Sequence, residues 1–167
     1  MMNKKVIAAG GNLMCHNKNG VIGALIRYNG RNCALTAYHI LKVGGCGLGS
    51  KINVECRSGV VIKIIEEQDL AVLTIDAPDE GIEFSKITEP KIGPAYSLNG
   101  NKRIECRVMT IGRVYHYLSF PMGDLPLPGD SGSPIIQDGS VVGILASIFF
   151  NNATGIALSL GLFHRDP

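Results

Sequence analysis

The string Gly129-Asp130-Ser131-Gly132-Ser133-Pro134 sets a hydroxyl between glycines. Glycine reaches backbone conformations closed to other residues, so such a turn can present Ser131 as a nucleophile and aim amide N–H groups outward. The amides of Gly129 and Ser131 are the candidate donors of an oxyanion hole. His39 follows Leu35-Thr36-Ala37-Tyr38, so an apolar strand hands over almost directly to an imidazole. An imidazole at a strand's end can take the proton of a serine and return it to a leaving amine. Asp69 precedes the apolar run Leu70-Ala71-Val72-Leu73-Thr74-Ile75, where a carboxylate can fix the imidazole tautomer and stabilise its cation. Asp76 and Asp79 are weaker candidates for that carboxylate. The chemistry such a set would do is acyl transfer through a covalent serine.

The elements that must position these groups read as strands. Residues 21–28 run into Asn29-Gly30, a two-residue hairpin signal, and 33–37 follow. Further strand candidates are 52–56, 60–67, 70–75, 95–98, a long stretch over 104–120, 133–137, 141–150 and 155–161, with Asp138-Gly139 as a second turn. Helix signals are thin, and the segment after Thr36 is expected to make one turn. Residues 76–94 mix Pro, Gly and acids without periodicity, which marks a linker. The expected class is all-β.

Composition agrees. The chain has 167 residues, with 21 Gly, 8 Pro and no Trp, a balance that favours short strands and tight turns. Its net charge of +2 does not point to a nucleic-acid partner. No apolar run is long enough for a membrane span, and the broken apolar run near the N-terminus does not read as a signal peptide. A cytoplasmic protein, or one released from a larger viral or bacterial precursor, is therefore expected. Cys15, Cys33, Cys46, Cys56 and Cys106 are odd in number and contain no C-x-x-C pair, so five reduced thiols and no zinc site are expected. His16, His116 and His164 lack partners at metal-ligand spacing. The glycine-containing stretches lack the order of a phosphate loop. Lys102, Arg103, Arg107 and Arg113 read as a solvated face.

Taken together, Thr36-Ala37-Tyr38-His39, Asp69-Leu70-Ala71 and Gly129-Asp130-Ser131-Gly132-Ser133-Pro134, in that order, resemble the trypsin/chymotrypsin-like serine peptidases. The motifs span residues 36–134, most of the chain. The resemblance implies two small antiparallel β-barrels with the site in the cleft between them. An N-terminal barrel would cover 1–80, a linker 81–94 and a C-terminal barrel 95–167. It also implies His39 as general base, Asp69 as its orienting carboxylate, Ser131 as nucleophile, and the Gly129 and Ser131 amides as oxyanion hole. The activity implied is a serine endopeptidase acting on a protein or peptide, with no metal or organic cofactor. The alternative is a catalytically silent peptide-binding module on the same fold; esterase activity would use the same machinery.

Departures from the secreted digestive members are informative. Ile40 stands where a half-cystine commonly follows the histidine, another is replaced within Leu125-Pro126-Leu127-Pro128-Gly129-Asp130, and Tyr38 replaces a small residue. The short chain is similar to compact viral polyprotein proteinases or small bacterial peptidases, and residues 132–152 are locally similar to sporulation signalling peptidases. The resemblance puts Leu125 at the base of the specificity pocket and Ala146-Ser147-Ile148 along its wall. An apolar base does not pair a substrate Lys or Arg, so uncharged side chains are expected there. Asp130, enclosed beside the nucleophile, needs a cationic or multi-donor partner. Arg107, Arg113 or backbone amides are expected for that partner, or a new terminus released by cleavage after Lys5.

Overall fold

A computed structural model describes residues 6–121 and 123–163; Lys5 and His164 lie outside the described residues. Among the described residues thirteen strands run β1 Asn12–Cys15, β2 Lys18–Val21, β3 Ala24–Tyr28, β4 Arg31–Ala37, β5 Lys51–Val54, β6 Arg57–Ile65, β7 Leu70–Thr74, β8 Gly93–Asn99, β9 Lys102–Ile111, β10 Tyr115–Ser119, β11 Pro134–Gln137, β12 Ser140–Phe149 and β13 Thr154–Leu158. One short helix, α1 over Tyr38–Val43, supplies the single turn expected after Thr36.

The all-β expectation holds, and the two halves close differently. β8–β13 form a closed six-stranded barrel in the order β10-β13-β12-β11-β8-β9, with β9 pairing back to β10. The N-terminal half is a curled seven-stranded sheet ordered β2-β1-β5-β6-β7-β4-β3, with β2 and β3 at its edges. Turn chemistry accounts for the hairpins. Asn29 and Gly30 both have positive φ between β3 and β4, as do Asp138 and Gly139 between β11 and β12. That is the backbone twist a two-residue hairpin loop requires.

The periodicity of β7 explains its unbroken apolar run. All five residues are buried. Ala71 and Leu73 face the core of the N-terminal sheet, while Leu70 and Val72 face a second core shared by both halves. β4 alternates in the same way, with Leu35 and Ala37 on the shared side and Ala34 on the other. Ile144, Leu158 and Leu160 of the C-terminal barrel complete that seam. Burial of each large aliphatic side chain there contributes roughly 1.5–3 kcal/mol.

Residues 76–92 form a lace between the halves. Ser85 N–H donates to Leu25 O (2.8 Å) and its hydroxyl accepts from Leu25 N–H (2.9 Å). Three residues on, Thr88 N–H donates to Val141 O (3.2 Å), and Val141 N–H donates to Lys86 O (2.8 Å). The segment therefore binds both halves edge to edge, which holds the seam closed.

Two expectations need correction. The long 104–120 strand is divided, with β9 and β10 reversing at Gly112-Arg113-Val114. Its alternating pattern continues through the reversal, so periodicity does not mark the turn. The five cysteines are not all reduced: Cys15 and Cys46 are disulfide-bonded, leaving Cys33 and Cys106 buried and Cys56 exposed as free thiols. The fold places the end of β1 against the loop after α1, a proximity that a separation of 31 residues conceals.

Gly59 tests the packing of β6 on β7. A Cβ built there would sit 2.2 Å from the backbone oxygen of Thr74. Gly59→Ala is expected to lower stability by about 1–3 kcal/mol, read as an earlier midpoint in urea unfolding. A wild-type midpoint would show that the two strands are not this close.

Candidate active site

The register of two strands brings the first pair of groups together. Ala37 at the end of β4 pairs with Leu70 at the start of β7, so the residues just beyond, 38–39 and 69, are neighbours. Asp69 stands in the left-handed region with φ 53°, which turns its carboxylate and carbonyl toward α1. The first amides of a helix have no partner inside the helix. Here Tyr38 N–H donates to Asp69 O at 2.7 Å and His39 N–H to Asp69 Oδ1 at 2.8 Å. The remaining oxygen, Oδ2, lies 2.6 Å from His39 Nδ1. One carboxylate thus caps the helix and holds the imidazole. With Nδ1–H donated to Asp69, the neutral ring carries its lone pair on Nε2, and the His39 side chain is 39% exposed. Asp76 and Asp79 take no part; Asp79 instead pairs with Arg27.

Ser131 arrives from the other half. Pro128–Asp130 form a 3-10 turn, after which Gly132 lies against the N-terminal sheet. A Cβ at Gly132 would fall 2.7 Å from Val21 O, 2.8 Å from Thr36 Oγ1 and 3.2 Å from Ile40 Cδ1. Only glycine allows this approach, and its φ of 95° is also one that other residues resist. Gly23 makes the reciprocal contact, since a Cβ there would sit 2.9 Å from Gly132 O. Hydrogen bonds from Gly132 N–H to Leu145 O (2.7 Å) and from Leu145 N–H to Ser133 O (2.8 Å) tie the turn to β12. Ser131 therefore lies across the seam from the helix of His39, one residue from a contact with Ile40.

The Ser131 hydroxyl donates to Ala146 O at 3.4 Å, and no hydrogen bond links it to His39. Its amide is also engaged, donating to Pro128 O at 3.3 Å within the 3-10 turn. Of the two amides expected to face an oxyanion, that of Ser131 is thus turned into its own loop. The site of the Gly129 Cβ has open space around it. Leu125 and Ile148 pack on the C-terminal barrel's core, Ala146 is buried in the core shared by both halves, and Ser147 is exposed.

The architecture has known counterparts. No family model matches the chain, and no curated protein matches it by sequence. Solved structures do. A Nocardiopsis protease superposes with TM-score 0.72 at 14% identity, over 94% of this chain and 94% of that one. Thermobifida fusca protease A gives 0.72 at 13%, over 94% and 93%. A serine protease described as glutamic-acid-specific, with a histidine triad in substrate binding, gives 0.75 at 11%, over 94% and 95%. The chain has the chymotrypsin-like double-barrel fold.

In that fold the candidate residues sit at the seam between the two halves, and the buried acid beside them, Asp130, meets partners that sequence reasoning missed. Asp130 is 3% exposed. Its Oδ2 accepts from Lys102 Nζ (2.7 Å) and Leu127 N–H (2.7 Å), and its Oδ1 from Asn99 Nδ2 (2.9 Å). Burial alone pushes this carboxyl up; the hydrogen bonds from Lys102, Asn99 and the Leu127 amide, with the Lys102 charge, outweigh it and hold the carboxyl below its ordinary value. Arg107 and Arg113 are not its partners, so that expectation is corrected to Lys102, with Asn99 and one backbone amide. Lys102 and Asn99 flank the β8–β9 turn, and their separation of 28 and 31 residues from Asp130 left no local signal. His116 is buried and accepts from Gly112 N–H at 3.3 Å through Nδ1; burial pushes its pKa below the ordinary value, against the nearby Glu89 charge.

A depressed carboxylate contributes stability that is complete above its unfolded value of 3.8 and is lost as pH falls through its lower folded value. Lys102→Met is therefore expected to destabilise the protein by about 1–3 kcal/mol at neutral pH, with the difference from wild type narrowing below pH 3.8. Urea unfolding at several pH values measures this. A difference independent of pH would mean that Lys102 acts through packing of its stem.

Proposed function

We propose that the chain is a serine endopeptidase in which Ser131 is the nucleophile, His39 the general base and Asp69 the carboxylate that orients it. The observation that carries the reading is the bidentate engagement of Asp69, which holds His39 with Nε2 free at the seam where the Ser131 turn is wedged. Catalysis would begin as a peptide enters the seam. His39 Nε2 takes the Ser131 proton as Oγ leaves the Ala146 carbonyl and attacks the scissile carbonyl carbon. Asp69 stabilises the imidazolium that forms. The proton then passes to the leaving amine, and water releases the acyl group by the same route.

The tetrahedral oxyanion needs donors at the nucleophile turn. Rotation of the Pro128–Gly129 peptide would withdraw the Pro128 oxygen from the Ser131 amide and turn the Gly129 N–H outward. The open space at Gly129 supports that rotation. Leu125, Ala146 and Ile148 support a pocket for an uncharged side chain, because none of them offers a charge to pair with Lys or Arg. The glutamic-acid preference belongs to a structural relative and does not transfer with the fold. The alternative is a catalytically silent peptide-binding module on the same fold, which the likeness to solved serine proteases does not favour.

A peptidyl phosphonate separates the two. The peptidase is expected to be labelled on Ser131, with no labelling of Ser131→Ala, and Asp69→Asn should lower kcat/KM by roughly 10³–10⁴. A folded wild-type protein that stays unlabelled would leave the binding module. Cleavage-site profiling on a peptide library is expected to show uncharged residues before the scissile bond. Dominant cleavage after Lys or Arg would overturn the assignment of Leu125 and Ile148.

A further inference from the structure

Among the described residues, a cluster of metal-ligating atoms lies at the far end of α1. Cys15 closes β1, His16 begins the turn to β2, and Cys46 lies in the loop that leaves α1. Their two sulfurs and the nearest imidazole nitrogen all lie within 4.8 Å of one another. Both cysteines are buried and His16 is exposed. His16 has φ 53°, so the chain folds back and its ring lies over the 44–46 loop, with Nδ1 2.7 Å from Gly44 O and 3.9 Å from Cys46 Sγ. A side chain at Gly44 would put its Cβ 2.7 Å from Cys15 Sγ, so the loop carries glycine where it meets the sulfur.

We propose that Cys15, His16 and Cys46 form a redox-gated metal site, closed as a disulfide and, once reduced, able to bind a zinc-class divalent cation through two thiolates and one imidazole. In the oxidised state the sulfurs are bonded to each other and neither is a thiolate, so the set is closed. A dithiol reductant opens it by exchange: it becomes the disulfide, and Cys15 and Cys46 each gain a proton. Binding of the metal then expels those two protons, because the ligands are thiolates. Tetrahedral zinc has bonds of about 2.3 Å to sulfur and 2.0–2.1 Å to nitrogen, which puts ligand atoms about 3.5–3.8 Å apart. The present 3.9 Å from Nδ1 to Cys46 Sγ is close to that spacing. The sulfurs must separate, and His16 Nδ1 must release Gly44 O and present its lone pair. The fourth position faces solvent on the exposed His16 side, which suits a water ligand.

Two features make this more than a pair of stapled cysteines. A disulfide needs no imidazole, yet one is held at ligand distance. The two cysteines also come from segments that meet at α1: Leu41 O accepts from Cys46 N–H at 2.8 Å, and Cys15 shares a buried core with Leu41. Bond or metal would hold α1 to the β1–β2 hairpin in the same way, and the reduced, metal-free state would release it. The site is independent of the peptidase reading, since its atoms are separate from His39, Asp69 and Ser131.

Cobalt(II) is the probe, because thiolate-to-cobalt charge transfer reports sulfur ligation directly. The full chain as isolated is expected to show three reactive thiols on denaturation and no such absorbance with cobalt(II). After dithiothreitol treatment and anaerobic removal of the reductant, five thiols and one equivalent of bound cobalt(II) are expected, displaced by zinc. His16→Ala keeps the disulfide, and its reduced form should bind cobalt(II) at least about tenfold more weakly, roughly the loss of one modest interaction. Cys46→Ser should abolish the charge-transfer band, and Cys56→Ser, removing the exposed free thiol, should leave it unchanged. A reduced wild type without the band would overturn the proposal. So would a band that appears before reduction, that survives in Cys46→Ser, or that keeps its affinity in His16→Ala.

Discussion

Backbone-to-backbone contact across the seam is the constraint on which the arrangement depends. Gly132 reaches the Val21 carbonyl and Thr36 hydroxyl because it has no Cβ, and Gly23 leaves room for Gly132 in return. Two halves with ordinary side chains at these positions would stand apart by the width of a methyl group or more. The turn that carries Ser131 would then no longer reach the helix bearing His39. The apolar core shared by β4, β7, β12 and β13 supplies the attraction that holds the contact, and the 76–92 lace supplies its hydrogen-bonded edge.

The site is built from two kinds of rigidity. On the N-terminal side, Asp69 replaces the missing cap of a six-residue helix, so the cap and the imidazole share one anion. A helix this short is not stable by its own hydrogen bonds and takes its position from its neighbours. On the C-terminal side, buried Asp130 collects donors from Lys102, Asn99 and Leu127. A buried carboxylate without such donors would be costly enough to disrupt its surroundings, so its clamp also pins the turn that carries Ser131. The β8–β9 turn is in turn docked on the N-terminal segment, where Gly100 N–H donates to Gly10 O at 2.8 Å.

Local signals carried the strands well and their ends unevenly. Apolar alternation and the Asn29-Gly30 and Asp138-Gly139 turns marked β3, β4, β11 and β12, because a hairpin turn requires residues that tolerate positive φ. The β1–β2 hairpin escaped notice, since His16 to Gly20 is polar and its register is set by pairing with β5 rather than by its own pattern. The reversal between β9 and β10 escaped for the opposite reason, as an alternating pattern ran straight through it. Ser131 drew attention through glycine spacing, whereas Lys102 did not, because a lysine near a turn reads as a solvated residue until a buried acid is found beneath it.

The order of residues by itself determined the β character of the chain, the turns at Asn29-Gly30 and Asp138-Gly139, and the three side-chain types that stand at the seam, because turn preference and alternation act over a few residues. Tertiary structure decided the rest: which cation meets Asp130, that Cys15 bonds Cys46, and that one half closes while the other stays an open curled sheet. Each of these depends on segments about 30 or more residues apart meeting at a few ångströms, and packing of the whole chain, not local preference, sets such distances.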